Sequence, residues 1–230
     1  MDHVPLLFAE SVVRLCGYRA PSSLIVSSNS LFGNVCRSLW EKRLCVALYV
    51  VYNPAAGNFD YCLTSRRTHG FTVHETPYIY DPADHRFVSV FEVTLLKDKS
   101  SLKNIKVKWT TATPSDSTFL KRLRAPFPKT DLRLDVKCPE LLKLLPDYCT
   151  FNYIYNWGPI DHGDVLDAII ERSQECGRLE TLYCKEFFQK RGVEASIDWI
   201  STNKRLWCVS SYSTENPESV RSYLNSIGVQ

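Results

Sequence analysis

Leu44-Cys-Val-Ala-Leu-Tyr-Val-Val-Tyr52 is dense in β-branched and aromatic residues, and Asn53-Pro54 and Gly57-Asn58 punctuate it before Phe59-Asp-Tyr-Cys-Leu63 resumes in alternation. β-Branched and aromatic side chains fit a pleated, half-buried surface, and Asn, Pro and Gly mark the reversal between two such runs. The stretch predicts a β-hairpin over 44–65. Val73–Tyr80 and Phe87–Leu96 are further strand candidates, separated by Asp81-Pro82-Ala83-Asp84.

Toward the C-terminus the pattern becomes strand and helix in turn. Candidate strands are Asn104–Trp109, Leu132–Lys137, Thr150–Tyr155, Arg178–Cys184 and Arg205–Ser210. Phe151, Leu179 and Leu206 lie 28 and 27 residues apart. Between the strands, Leu166, Ile169, Ile170 and Ser173 make one helical face, entered through an N-cap read in Asp161-His-Gly-Asp164 and stopped by Gly177. Val193, Ile197 and Ile200 make another face. Pro217 opens a last helix through Val220, Tyr223, Leu224 and Ile227, which Gly228 closes. Units of this period can bury a face only against their neighbours. The expected fold is α/β (α+β): short N-terminal helices, a strand-rich body, and an irregular leucine-rich-repeat-like strand–helix solenoid. An ordinary α/β sandwich is the alternative.

Upstream of residue 44 the chain reads as helices. Pro5 suits a first helical position, Phe8, Val12, Val13 and Cys16 follow at helical spacing, and Gly17 ends the run. A Pro-Ser-Ser turn at 21–23 leads to Leu31, Val35 and Leu39 on one face, with Trp40 beside them. The expected division is therefore 1–43 and 44–230.

With 230 residues, 44% hydrophobic and 23% charged, the composition is that of a globular protein rather than a disordered or low-complexity one. No apolar run approaches the roughly 18 residues of a membrane span, and no secretory leader is read at the start. The nine cysteines are scattered, odd in number and never spaced C-x-x-C, unlike a disulfide scaffold or a structural zinc site. These features place the chain in the cytoplasm or nucleus.

Val4-Pro5, Phe8, Val12-Val13, Ser23-Leu24 and Val35-Cys-Arg-Ser-Leu-Trp40 occur in an order that resembles a divergent F-box. That pattern runs Leu-Pro, an apolar helix, a short turn with Leu, and Val-x-(Lys/Arg)-x-Trp. Leu7 stands where an acidic residue is usual, and Trp40 falls one place late. An F-box-like segment followed by strands and irregular strand–helix repeats is similar to the F-box-like families expanded in nematodes. The resemblance implies a non-enzymatic substrate-recognition adaptor of a Skp–cullin–F-box-type ubiquitin ligase. Pro5, Phe8, Val12, Val35, Leu39 and Trp40 would dock on a Skp-type adaptor protein, and the C-terminal body would hold a substrate protein.

A different class of function is suggested by charge. Net charge is +3, yet residues 97–137 hold eleven Lys/Arg against four Asp, a balance of +7. Such a segment could meet nucleic acid or phosphate. The preferred reading makes Lys103, Lys106 and Lys108 the solvated face of a strand, because no stacking or nucleic-acid-binding motif accompanies them. An interaction protein with a vestigial F-box is the third possibility. No catalytic residue, metal ligand or cofactor is expected: the chain has no nucleophile elbow, phosphate loop or dinucleotide motif. His69, His74 and His85 with Cys62 match no metal spacing, and Asp161-His162 beside Asp164 reads as a helix start. Trp157, Trp199 and Trp207 could form an aromatic patch for a ligand peptide on the sheet face, but the preferred reading places them in the core. Alternate residues of a strand share a face, so Tyr153, Tyr155 and Tyr183 are the candidates for a peptide-capture surface.

Overall fold

The structure, a computed structural model, describes residues 34, 37, 44–69, 72–79, 88–103, 105–124, 129–157, 162–202 and 217–229. Among these, eight strands form one mixed sheet: β1 Leu44–Asn53, β2 Asn58–His69, β3 Thr72–Pro77, β4 Val88–Leu96, β5 Thr110–Ala112, β6 Lys129–Leu134, β7 Tyr153–Asn156 and β8 Thr181–Tyr183. Helices α1 Ser117–Leu123, α2 Pro139–Lys143 and α3 Asp164–Glu175 alternate with β5 to β8, and α4 Lys185–Arg191, α5 Val193–Thr202 and α6 Pro217–Ser226 follow β8. Strand order is β3-β2-β1-β4-β6-β7-β8, with β5 on β2. The expected α/β class is what forms.

The hairpin is as expected. β1 and β2 pair antiparallel from Cys45↔Arg66 to Asn53↔Asn58. Their turn needs a left-handed residue, which Gly57 supplies at φ +62°, and Asn53 Oδ1 accepts from the Ala56 N–H at 3.3 Å. From β1 onward the sheet runs parallel through β4, β6, β7 and β8. Parallel neighbours require a crossover, and α2 and α3 supply one after β6 and β7.

Alternation sends Val46, Leu48, Val50, Phe59, Tyr61, Phe91, Val93, Leu132, Leu134, Ile154 and Leu182 to one side of the sheet. There they meet Phe119 and Leu123 of α1, Leu141 and Leu142 of α2, Leu166, Ile169 and Ile170 of α3, Phe187 and Phe188 of α4, and Leu224 of α6, all buried. Each helix thus buries one stripe on a common core, which supplies the stability that short helices lack alone. Ser173 locks α3 to the approach of β7: its Oγ donates to Ile169 O at 2.6 Å and accepts from the Phe151 N–H at 3.0 Å.

The opposite side is covered differently along its width. Over β1, β2 and β4, Ala47, Tyr49, Cys62 and Leu96 are buried beneath Leu102, Val107 and Trp109. This ledge is held by Asp60, which accepts from Lys99 Nζ at 2.9 Å and from the Thr111 hydroxyl. Burial alone would raise the Asp60 pKa, but those two hydrogen bonds and the Lys99 charge together hold it below the usual carboxylate value.

Several boundaries differ from expectation. Residues 105–109 are not a strand. Lys106 and Lys108 are exposed and Ile105, Val107 and Trp109 half-buried, as alternation predicts, but Val107 and Trp109 pack on a sheet face, and only Thr110–Ala112 joins a strand edge. Strand β6 begins at Lys129, not Leu132, while β7 and β8 are shorter than expected. The cap of α3 is Gly163 at φ 68°, with no side-chain cap; a tight left-handed entry replaces the expected Asx cap. Helices α1, α2 and α4 were not foreseen. The register Asp131↔Tyr153↔Thr181 spaces equivalent positions by 22 and then 28 residues, so the repeat is uneven. The candidate strand Arg205–Ser210, and with it Leu206 and Trp207, lies outside the described residues.

The thiols follow from this packing. Burial pushes the Cys138 thiol up to about 12 and Cys184 up to about 11. Cys149 is raised by burial too, although Lys129, Arg172 and Arg178 act against it. Cys176 is exposed. Reactivity belongs to the accessible thiolate, so brief iodoacetamide treatment of native protein at pH 8 is expected to modify Cys176 and spare Cys138, Cys149 and Cys184. Peptide mass spectrometry checks this; equal modification of all four would contradict the burial.

Candidate functional site

Beyond the ledge, the same side of the sheet carries a different chemistry. Each of β6, β7 and β8 gives its aliphatic residues to the helices, so the alternate positions point the other way. The register aligns them in two rows across four parallel strands. One row is Glu92, Asp131, Tyr153 and Thr181; the next is Thr94, Arg133, Tyr155 and Tyr183. Parallel sheets are commonly covered on both faces by apolar residues. These rows are polar and aromatic instead.

Trp157 follows β7 two residues beyond Tyr155 and completes the aromatic group. Its ring lies 5.4 Å from Tyr155 at an interplanar angle of 3°, and 5.0 Å from Tyr183 at 37°. It is 56% exposed. Arg133 places its guanidinium 5.5 Å from the Tyr155 ring centroid while donating to Asp131 Oδ2 at 2.7 Å. Tyr153 turns to the margin, where its hydroxyl donates to Glu180 Oε2 at 2.8 Å. Burial, with Asp131 and Glu92 nearby, raises the Tyr155 pKa against the opposing charge of Arg133. Tyr155 therefore stays protonated at neutral pH.

The three tyrosines expected to share a face do so, and Tyr155 and Tyr183 meet through Trp157. Two expectations for tryptophan need correction or refinement. Trp157 is exposed rather than core, one residue past the end of β7 at Asn156. Trp199 is half-buried, edge-on to Phe187 at 4.9 Å. Sequence reading also missed Asp131 and Arg133. The signal was there: Leu132 and Leu134 alternate with them, but the strand was begun one residue too late to include Asp131.

The basic run 97–137 does not assemble into one stripe. Lys103, Lys106 and Lys108 project from the ledge, Lys121 and Arg122 lie on α1 across the sheet, and Lys129 is buried. Arg122 covers Tyr61, and Arg133 faces Asp131. Among the described residues no group of three or more His, Cys, Asp or Glu is placed to hold a metal ion. Cys62 is buried in the ledge contact; the side chains of His69, His74 and His85 lie outside the described residues, as does Asp161, while His162 is buried. Among the described residues no helix is long and apolar enough to cross a membrane. Pro5, Phe8, Val12, Val35, Leu39 and Trp40 all lie outside the described residues. No family model matches this chain, and neither does any curated protein or solved structure.

Proposed function

We propose that this chain is a non-enzymatic recognition protein, the substrate-binding adaptor of a Skp–cullin–F-box-type ubiquitin ligase, working in the cytoplasm or nucleus. Residues 1–43 dock on a Skp-type adaptor through Pro5, Phe8, Val12, Val35, Leu39 and Trp40. The two polar and aromatic rows across β4, β6, β7 and β8 hold a segment of the substrate protein. The observation that carries the capture half is the Tyr155–Trp157–Tyr183 group on a sheet face whose other side is the core. Aromatic and Arg side chains on a rigid support are the usual anchors of protein interfaces; here Trp157 is exposed, and Tyr155, Tyr183 and Arg133 are half-buried. The recruitment half rests on the F-box-like order of residues alone.

Co-expression with a Skp-type adaptor tests recruitment. The wild-type chain is expected to retain the adaptor through affinity purification and gel filtration. A Pro5→Ala/Leu39→Asp/Trp40→Ala variant of unchanged circular dichroism is expected to lose it, because apolar anchors at the centre of such a contact carry most of its energy. Adaptor absent from folded wild-type protein, or retained equally by the variant, would sink the ligase role and leave a protein-binding module.

A further inference from the structure

We propose that Thr113 is a phosphorylation site for a proline-directed Ser/Thr kinase, a modification separate from the capture reading above. Such kinases require a proline directly after the acceptor residue. Of the twelve prolines, two follow a serine or threonine: Pro77 after Thr76, and Pro114 after Thr113. Both threonines are exposed, so exposure does not choose between them. The backbone does. Thr76 lies within β3, where Ser65↔Thr76 and Thr64↔Pro77 belong to the antiparallel ladder with β2. Its hydroxyl shares a 3.1 Å hydrogen bond with that of Ser65, and beyond Pro77 the Tyr78 N–H donates to Leu63 O at 2.9 Å. A kinase must draw its acceptor out as an extended segment, which at Thr76 means stripping a six-residue strand from the sheet.

Thr113 instead lies just past β5, in a four-residue turn closed by one backbone hydrogen bond, from the Asp116 N–H to Thr113 O at 3.0 Å. Pro114 takes the second position of that turn, where its fixed φ is suited. Thr113, Pro114, Ser115, Ser117 and Thr118 are exposed and Asp116 half-buried, so full burial resumes only at Phe119. Among the described residues the Thr113 hydroxyl meets the Ser115 hydroxyl alone, at 3.1 Å, and that contact is exposed. Upstream, β5 has three residues and pairs with β2. Presenting Thr113 therefore takes the opening of one turn and at most a three-residue strand, a local event far cheaper than global unfolding. Exposed tips of small and polar residues are where proteases gain access, and a kinase has the same need. The reaction moves the γ-phosphoryl group of Mg-ATP to Thr113 Oγ1; the bond from phosphorus to the ADP oxygen breaks, and the hydroxyl proton passes to the kinase's catalytic Asp. The turn, whose one charged residue is Asp116, passes from one negative charge to about three. The added charge stands in the same turn as the carboxylate that accepts from the Thr118 and Phe119 N–H groups at the start of α1.

The test incubates the folded full chain with Mg-ATP and a purified mitogen-activated protein kinase, beside Thr113→Ala, Thr76→Ala and a peptide of residues 107–119. Tandem mass spectrometry is expected to place one phosphate at Thr113 in the wild-type and Thr76→Ala chains, and none on Thr113→Ala. Both replaced side chains are exposed, and thermal melts run alongside verify that the variants keep the fold. Phosphate on Thr76 in place of Thr113, or a Thr113→Ala chain modified as fully as wild type, would overturn the site. So would a folded chain left unmodified while the peptide is phosphorylated, because the turn would then not open to the kinase. A peptide that is itself refused would overturn Thr113 as an acceptor for this class of kinase.

Discussion

Replacing Phe119 with Ala is expected to destabilise the protein by about 3–5 kcal/mol, the range for deleting a buried aromatic side chain. Phe119 is fully buried, and its ring lies 5.4 Å from Phe59 and 5.1 Å from Tyr61. It is the main anchor of α1, a seven-residue helix too short to persist without its packing. Asp116 caps that helix by accepting from the N–H groups of Thr118 and Phe119, both at 2.9 Å. The truncation leaves a void between α1 and β2, and neighbours held in the sheet cannot collapse into it. At roughly 2–4 °C per kcal/mol for a chain of this size, the melting temperature should fall by roughly 6–20 °C. Phe119→Leu, which refills most of the volume, should cost only about 1–2 kcal/mol. Chemical denaturation of the three proteins measures both values. A Phe119→Ala protein as stable as wild type would mean that α1 does not pack against the hairpin.

Why α1 escaped the sequence reading bears on what such reading can reach. Phe119-Leu-Lys-Arg-Leu123 sits inside the basic run, and a helix of seven residues offers too few apolar positions for a 3.6-residue period to stand out. The hairpin was legible because its alternation, its Asn-Pro and its Gly57 turn all agree at short range. The face shared by Tyr153, Tyr155 and Tyr183 was legible for the same reason: a period of two is a local property. What joins those strands is not local. That Asp131 pairs with Tyr153, and Glu92 with Asp131, depends on crossovers of 22 and 39 residues, and a single sequence carries no signal for such a register. Residues 105–109 show the converse. Their alternation was read correctly and assigned to a ladder, whereas the half-buried side chains lie on the sheet as a cover. Period two reports a two-sided environment, not the hydrogen bonding beneath it.

Replacing Arg178 with Met is expected to cost about 2–4 kcal/mol, because a charged donor serving several half-buried acceptors is worth more than a neutral hydrogen bond and its loss strands those acceptors. One guanidinium ties together the entries of three parallel strands. Arg178 donates to Lys129 O at 2.9 Å, where β6 begins, to Asn152 Oδ1 at 3.0 Å, just before β7, and to Thr150 Oγ1 at 3.2 Å, while its own residue leads into β8. Its backbone is set by Gly177, whose φ of +67° turns the chain off the end of α3. Asn152 passes the constraint on: its Nδ2 donates to Glu180 Oε1 at 2.9 Å, and the other Glu180 oxygen accepts from the Tyr153 hydroxyl. The clamp therefore ends on the candidate capture face. One term opposes the loss. The Lys129 pKa is lowered chiefly by burial and further by the Arg178 charge, so removing that charge relieves a repulsion. The relief is smaller than the cost of leaving three acceptors without their donor. Arg178→Lys should recover less than half of the difference, since a single ammonium cannot reach all three acceptors from one position. Hydrogen exchange separates this loss from a uniform one: the amides of Tyr153–Asn156 and Thr181–Tyr183 should exchange faster before those of Leu44–Asn53 do. An Arg178→Met protein within about 0.5 kcal/mol of wild type, the range of an inert surface change, would mean that backbone pairing alone sets the three strands. Tyr153 and Glu180 would then hold their places without help from behind.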